Sequence, residues 1–404
     1  MQASTARTAR VPVTLAVFTL AGFAIGCNEF ASVGVLPQVA AEFSPVAATG
    51  DPDRAAADVS IFVWAYALGV VIGAPILGAL ASRYDVRWFL AASLVTMSAF
   101  TAAVALAPDM ALVTTLRVLS GVPHAAFLGI AAIAAARVMG SRHAARGVAV
   151  VIGGLTIANM VGAPLGTWVG QTLGWRWCYA GIALLFIAAT LGVFATTPDS
   201  VAAVRRHGSP WRGLRNVRMW TIIGVYAFVN GGVFAVLTFI SVITTVHAQM
   251  PGMTIAFVVA ASGIGMTVGN YVGGVVADRN RRAAMALGAC AATMGFVALL
   301  APRSPILTII GFALVGFALS ELAPFTQTLL MRSTPHDPGV GSSMNSLCAN
   351  LGSVVGGACA GFAVGQSGAA AAIWIGLGLM GAGLVGAVIL ARSGVELATR
   401  VRGR

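Results

Sequence analysis

Twelve apolar stretches run through this chain of 404 residues, near 11–36, 57–80, 88–107, 110–137, 147–170, 177–196, 219–246, 254–277, 283–301, 304–331, 340–365 and 369–391. Each is close to the ~20 apolar residues that cross a bilayer core. In hydrocarbon every backbone N–H and C=O must find its partner inside the protein, and a segment of this length does so as a helix. The expected fold is therefore all-α and transmembrane. Charged residues are 9% and hydrophobic residues 58% of the chain, against about 25% charged in a soluble domain. No soluble core could bury this much apolar surface.

The charges orient the helices. All 24 basic residues are arginine, and only Arg54, Arg117, Arg176 and Arg303 lie outside the termini and the loops after spans 2, 4, 6, 8 and 10. Short arginine-rich loops stay cytoplasmic, so both termini are expected inside. In a soluble protein the net charge of +12 would suggest nucleic acid. Spread over short loops it sets topology instead, and no nucleic-acid partner is expected. The first apolar stretch exceeds the 7–15 residues of a signal-peptide h-region, and eleven more follow, so it reads as a span. The five cysteines show no metal spacing and read as small apolar filler.

The longest Arg-rich segment, 197–218, divides the chain into six spans at 1–196 and six at 219–404. The second set repeats the first. Gly162, Gly166, Gly170 and Gln171 lie 195 positions before Gly357, Gly361, Gly365 and Gln366. Gly78 and Arg83 lie 196 positions before Gly274 and Arg279. Repeats of six spans build the two halves of many secondary transporters, with the substrate near the midplane. Two pseudo-symmetric six-helix bundles are the expected architecture. Glycines four apart, as at Gly69 and Gly73 or Gly265, Gly269 and Gly273, let helix backbones approach closely. Static packing and sliding both use such stripes.

Four motifs carry a family resemblance. Span 1 holds Asn28-Glu29-Phe30, then Gly34-Val35-Leu36-Pro37. Span 2 runs from Tyr66 through Gly69 and Gly73 to Pro75, followed by Gly78, Ser82, Arg83 and Asp85. Span 4 holds Arg117, Gly121 and Pro123-His124-Ala125-Ala126-Phe127. Span 5 holds Gly154, Asn159, Gly162, Pro164 and Gly166. Over nearly the whole chain this resembles the major facilitator superfamily, in particular the twelve-span drug:proton antiporters similar to arabinose-efflux permeases and bacterial chloramphenicol exporters. The span 5 motif resembles the one that marks exporters in that family. The loop after span 2 departs from the family pattern, with Ser82 in place of the usual Asp. The second copy keeps Asp278-Arg279. The resemblance implies Gly78, Arg83, Asp85, Gly154, Asn159, Gly162, Pro164, Gly166, Asp278 and Arg279 as conformational-motif residues.

Ionisable groups deep in a span are costly and usually face a cavity, a partner or a pathway. Glu29 lies ~27 Å from the start of span 1 at 1.5 Å per residue, at the depth of Arg117. The two are expected to form an ion pair whose loosening lets Glu29 take and release a proton; the plainer reading is a static pair. His124 shares a face with Arg117 and Gly121 at i, i+4, i+7, and reads equally as a proton relay or an interhelical hydrogen bond. Glu321, in span 10 near a bend expected at Pro324, reads as a group specific to the substrate or a second proton site, and equally as a structural acid. Asn28, Phe30, Tyr66, Phe127, Asn230, Phe234 and Gln327 are candidate cavity residues, although interhelical packing is the default for each. No nucleophile motif, phosphate loop or metal spacing is present, so no cofactor is expected beyond the proton gradient.

The function expected is export of a small molecule, sugar-like or amphiphilic, in exchange for protons. It would act as a monomer in the bacterial plasma membrane, with lipid as its other partner. Uptake by the same fold, and a non-transporting receptor or membrane enzyme, are the rival readings.

Overall fold

The structure is a computed structural model that describes residues 2–80, 84–140, 143–197, 216–333 and 338–392. Helices joined by short turns make up the described residues, and eleven of them are long and apolar enough to cross a membrane. The ninth expected span is shorter, with its apolar part at Ala283–Leu299. The 197–218 linker lies almost wholly outside the described residues, and so does Arg83.

In chain order, α1 (Gln2–Gly34) is followed by the short α2 (Leu36–Phe43), α3 (Pro45–Gly50) and α4 (Pro52–Asp58), then α5 (Ile61–Leu80) and α6 (Val86–Leu106). Span 4 is broken into α7 (Met110–Gly121) and α8 (His124–Met139). Span 5 is α9 (Ala144–Ile157), a π-helical turn at Ala158–Gly162, and α10 (Ala163–Thr172), and α11 (Trp175–Thr196) closes the first set. The second set comprises α12 (Val217–Thr238), α13 (Ile240–Val242), α14 (Ile255–Arg279), α15 (Arg281–Leu299), α16 (Pro305–Glu321), α17 (Ala323–Ser333), α18 (Pro338–Ser367) and α19 (Ala370–Arg392).

Local chemistry explains where the helices start and break. Asp85 accepts from the N–H of Arg87 and Trp88 and so caps α6. Asp109 caps α7, Asp51 caps α4 and Asn216 caps α12 in the same way. Each satisfies N–H groups that a first helical turn leaves without partners. Proline has no N–H and clashes with the carbonyl four residues back. Pro123 sits at the α7–α8 break, and Pro324 follows the interruption at Leu322. Pro164 follows the π-turn, where the Ala163 N–H reaches Ala158 O five residues back.

The glycines set the packing. A Cβ on Gly69 would lie 1.9 Å from Val118 O, and one on Gly265, 2.0 Å from Ala313 O. Gly73 faces Val122 O as Gly269 faces Phe317 O, and Gly121 faces Tyr66 O as Gly316 faces Ser262 O. Spans 2 and 4 thus meet as spans 8 and 10 do, at the offset read from the sequence. In span 11 the expected register is corrected. Gly162, Gly166 and Gly170 face Cys27, Ala31 and Val35 of span 1, whereas Gly357, Gly361 and Gly365 face Trp64, Ser60 and Ala57 of the other set. The residues of span 11 that meet span 7 are Gly352, against Asn230, and Gly356, against Gly231. An offset of 190 matches Gly162 and Gly166 to them.

The end away from the arginine loops is closed across the two sets. Asp53 Oδ2 accepts from Ala369 N at 3.0 Å, Arg54 donates to Gly365 O at 3.2 Å, and Gln171 donates to Gly252 O at 3.1 Å. A charge-assisted bond of this kind contributes about 1.5–3 kcal/mol. Replacing Asp53 by Ala is therefore expected to lower the closed-to-open ratio at this end about tenfold. The measurement is electron-electron resonance between labels at Val46 and Met253, both exposed, after removal of the exposed Cys290 and Cys359. An unchanged distance distribution would show that the Asp53 bond does not hold this end shut.

A second clamp lies within the first set at the same end. Arg176 bonds Glu42 and donates to Ala105 O and Ala107 O, and Trp175 Nε1 donates to Glu42 at 2.7 Å. Burial works to raise the Glu42 carboxyl, but the bonds from Arg176 and Trp175 outweigh it and hold it below its usual range. The clamp's stability is thus fully present above the ordinary glutamate value of about 4.3 and is lost as pH falls through the lowered one. Both side chains are partly exposed, so its size is expected to stay under about 1 kcal/mol. Thermal unfolding of Glu42→Gln beside the parent checks this: a small deficit at neutral pH that disappears in acid.

Candidate functional site

A chamber of about 470 Å³ lies between the two sets of spans. A vestibule of about 780 Å³ continues it toward the arginine loops and shares with it Leu128, Ile152, Leu155, Gln327, Asn345 and Ser346. Glu29, Phe30, Asn159, Asn230, Phe234 and Gln327 line the chamber, together with His124. Carboxamides dominate its polar wall: Asn270, Asn345 and Asn350 join Asn159, Asn230 and Gln327. Most keep hydrogen-bonding capacity for a ligand. Asn345 Nδ2 donates to Gln327 at 3.0 Å, while the buried Oδ1 atoms of Asn159 and Asn350 have no protein partner. The vestibule wall is rich in alanine and glycine, with Arg137 and Gly78 near its mouth.

Glu29 supplies the only carboxyl on the chamber wall among the described residues. Its side chain is 14% exposed, and its Oε2 lies 4.0 Å from His124 Nδ1. The same nitrogen lies 3.0 Å from the hydroxyl of Tyr66. The break before α8 places His124 at the first turn of that helix, turned toward spans 1 and 2.

The expected ion pair between Glu29 and Arg117 is not formed. Arg117, 0% exposed, gives its donors to backbone instead: Nε to Phe62 O at 2.9 Å, Nη1 to Asn28 O at 2.8 Å and Nη2 to Val63 O at 3.4 Å. Its guanidinium also lies over the rings of Phe62, Tyr66 and Tyr179. Those carbonyls and ring faces offer enough acceptor capacity to hold a buried cation.

Four other residues lie elsewhere than on the chamber wall. Asn28 is buried, bonded to Arg117 and to Thr101, and is not on the chamber wall. Tyr66 and Phe127 are likewise fully buried behind the wall. Glu321 is fully buried but faces away from the chamber: a Cβ on Gly288 would meet its Oε2, and neither carboxyl oxygen has a hydrogen-bond partner. Of the motif residues, Gly154 packs on Thr19 O of α1, Asp85 is a helix cap, and Asp278 and Arg279 are exposed at the end of α14.

The bonds of Asp53 and Arg54 across the closed end were missed from the sequence, although Asp51, Asp53, Arg54 and Asp58 form a charged cluster unusual among the poorly charged loops on that side. The tyrosine–histidine bond was also missed, because 58 positions separate its partners and no local pattern announces it.

A family model described as Major Facilitator Superfamily matches residues 18–304 and 244–401. The inner membrane transport protein YdhP of Escherichia coli is 29% identical over 399 residues, covering 94% of both chains. A chloramphenicol resistance protein of Streptomyces lividans is 25% identical over 352 residues, covering 86% of this chain and 88% of that one. Among solved structures, a mutant of the nucleoside transporter NupG superposes with a TM-score of 0.71 over 95% of this chain and 99% of the other. At 14% identity that likeness shows the fold alone.

Proposed function

The chain belongs to the Major Facilitator Superfamily, and from that premise we infer that it exports a small molecule in exchange for protons. It is a multi-pass membrane transporter, not an enzyme. The observation that carries the finer reading is Glu29: a carboxyl beside an imidazole, on the wall of a chamber otherwise lined by uncharged groups. Such a group can exchange a proton and a substrate at one place, so that each displaces the other. The substrate is sugar-like or amphiphilic. Its polar end meets the carboxamides, and its apolar end meets the alanine-rich vestibule. The Streptomyces relative is named for chloramphenicol resistance, which fits a substrate of that kind.

The arginine-rich loops support a reading in which the vestibule faces the cytoplasm across a bacterial inner membrane, with both termini inside. In this conformation the chamber opens toward the cytoplasm and the Asp53 end is shut. Residues 1–196 and 219–404 then act as the two rocking halves, with 197–218 as their link and Asn159 and Gly263 at one contact between them. The Gly154–Gly166 element, with its π-turn, gives the irregular helix at that contact.

Inverted membrane vesicles test the reading. A proton gradient, acid inside, is imposed, and candidate sugars and amphiphiles are added singly while lumenal pH is followed with a dye. Substrate-triggered alkalinisation is expected. Substrate movement indifferent to the gradient would rule out proton coupling.

A further inference from the structure

Tyr66 stands against the whole functional face of span 4. Its carbonyl occupies the place a Cβ on Gly121 would need, 2.1 Å away. The Arg117 guanidinium lies 5.3 Å from the centre of its ring, and its hydroxyl reaches His124 Nδ1 at 3.0 Å. Arg117, Gly121 and His124 are the i, i+4, i+7 residues of that face, and one buried residue touches all three, the glycine through its carbonyl and the other two through its side chain. The same nitrogen of His124 also lies 4.0 Å from Glu29 Oε2. One ring nitrogen therefore has two claimants, and it can bond well to only one at a time.

We propose that Tyr66 is a positioning residue that competes with Glu29 for His124 Nδ1, and so sets how readily Glu29 gives up its proton. The inference rests on Glu29 as the proton-exchanging group of the proposed function. The exchange uses the tautomer with its proton on Nδ1: with Glu29 protonated, the Nδ1–H donates to the Tyr66 oxygen. When Glu29 loses its proton, the carboxylate draws the Nδ1–H across the remaining gap, and the Tyr66 bond breaks. No covalent bond changes except the O–H of Glu29, whose proton leaves to the chamber.

The exchange has a path to the inter-set contact. Two residues before Tyr66, the Trp64 ring lies where a Cβ on Gly357 of α18 would sit, and Ser60 faces Gly361 in the same way. Span 2 thus touches the proton site on one side and the second set of spans on the other. Release of the Tyr66 hydroxyl frees α5 to shift along α7 and α8, where Gly69 and Gly73 leave it in backbone contact.

The ionisable groups around Glu29 are few, so the competition is not swamped. His124 comes from α8, Tyr66 from α5 and Arg117 from α7. Tyr179 and Cys178 of α11 lie behind Arg117. Cys27 shares α1 with Glu29. Spans 5 and 8 bring only uncharged residues to this part of the chamber, including Thr156, Asn159, Met266 and Thr267.

The test is infrared difference spectroscopy of the purified full chain in nanodiscs, titrated with acid and base. It needs no substrate. The carboxyl band that disappears in Glu29→Gln reports Glu29. Tyr66→Phe keeps the ring under Arg117 and removes the hydroxyl, so His124 serves the carboxylate alone. The Glu29 midpoint is expected to move toward acid by about one pH unit, a tenfold change in proton affinity. His124→Ala removes the donor altogether, and the midpoint is expected to move toward alkali. In the His124→Ala background, Tyr66→Phe should add nothing. An unmoved midpoint in Tyr66→Phe, or the same acid shift with and without the imidazole, overturns the proposal. If the tyrosine variant does not fold, the parent protein decides: the tyrosine C–O band should shift as the Glu29 band titrates, and no tyrosine band moving with Glu29 overturns the proposal. Absence of any Glu29 band in the parent protein would instead overturn the proton-exchange reading itself.

Discussion

Substrate transport by the Glu29→Gln variant is expected to run down its own gradient at near-normal affinity for an uncharged substrate, and to ignore the proton gradient. The replacement is nearly isosteric and keeps an oxygen acceptor beside His124. It removes only the group that can bind and release a proton on the chamber wall. One pH unit across the membrane is worth 1.36 kcal/mol per proton, so a one-for-one exchange supports about tenfold substrate accumulation. The variant should lose that factor entirely and show no substrate-triggered alkalinisation in inverted vesicles. Counterflow of labelled substrate with no gradient should survive, which separates a lost coupling from a lost fold. Proton-driven accumulation persisting in Glu29→Gln would place the proton elsewhere. Glu321 is the natural rival as the other deep carboxyl, but it faces Gly288 outside the chamber. Its replacement by Gln should leave the accumulation ratio alone.

The span pattern could be read from the sequence because the bilayer imposes a length on every helix, and the repeat because glycines mark where backbones meet. The chamber was harder. Phe30, Asn230, Phe234 and Gln327 could be read as candidates since polar or aromatic side chains in spans are few. The same reasoning misplaced Asn28, Tyr66 and Phe127, which lie one layer behind the wall. A helix carries its residues at 100° intervals, and whether a given side chain meets the chamber or the neighbouring helix depends on helix rotation, which nothing local encodes. The ion pair between Glu29 and Arg117 failed for a related reason. Equal depth was visible, but the nearness of the helix carbonyls of Asn28, Phe62 and Val63 was not, and they claim the guanidinium first.

A methyl group added at Gly69 is expected to do more damage than almost any other single change outside the site. Its Cβ would lie 1.9 Å from Val118 O and 2.9 Å from the carbonyl carbon, and both are backbone atoms of the facing helix. No rotamer can relieve that contact, so the helices must part. Overpacking usually costs 1–3 kcal/mol, and a clash with backbone belongs at the upper end, about 3 kcal/mol. The parting would also draw Tyr66 from His124 and from Arg117, one turn away, so proton coupling should fail even where the variant is recovered folded. Because the second set repeats the contact, with Gly265 against Ala313 O at 2.0 Å, Gly265→Ala should cost the same within about 1 kcal/mol, yet leave the Glu29 infrared band unshifted. Gly78 and Gly274 provide the control. They are matched by the same repeat, but nothing lies within 4 Å of a Cβ at either. Alanine there should be neutral or stabilising by up to about 1 kcal/mol, as expected for glycine replaced within a helix. Thermal unfolding in detergent measures all four. If Gly69→Ala and Gly265→Ala behaved like the controls, glycine would not be what holds these spans at backbone contact. If only Gly69→Ala were damaging, the two sets would share a fold but not the load on it.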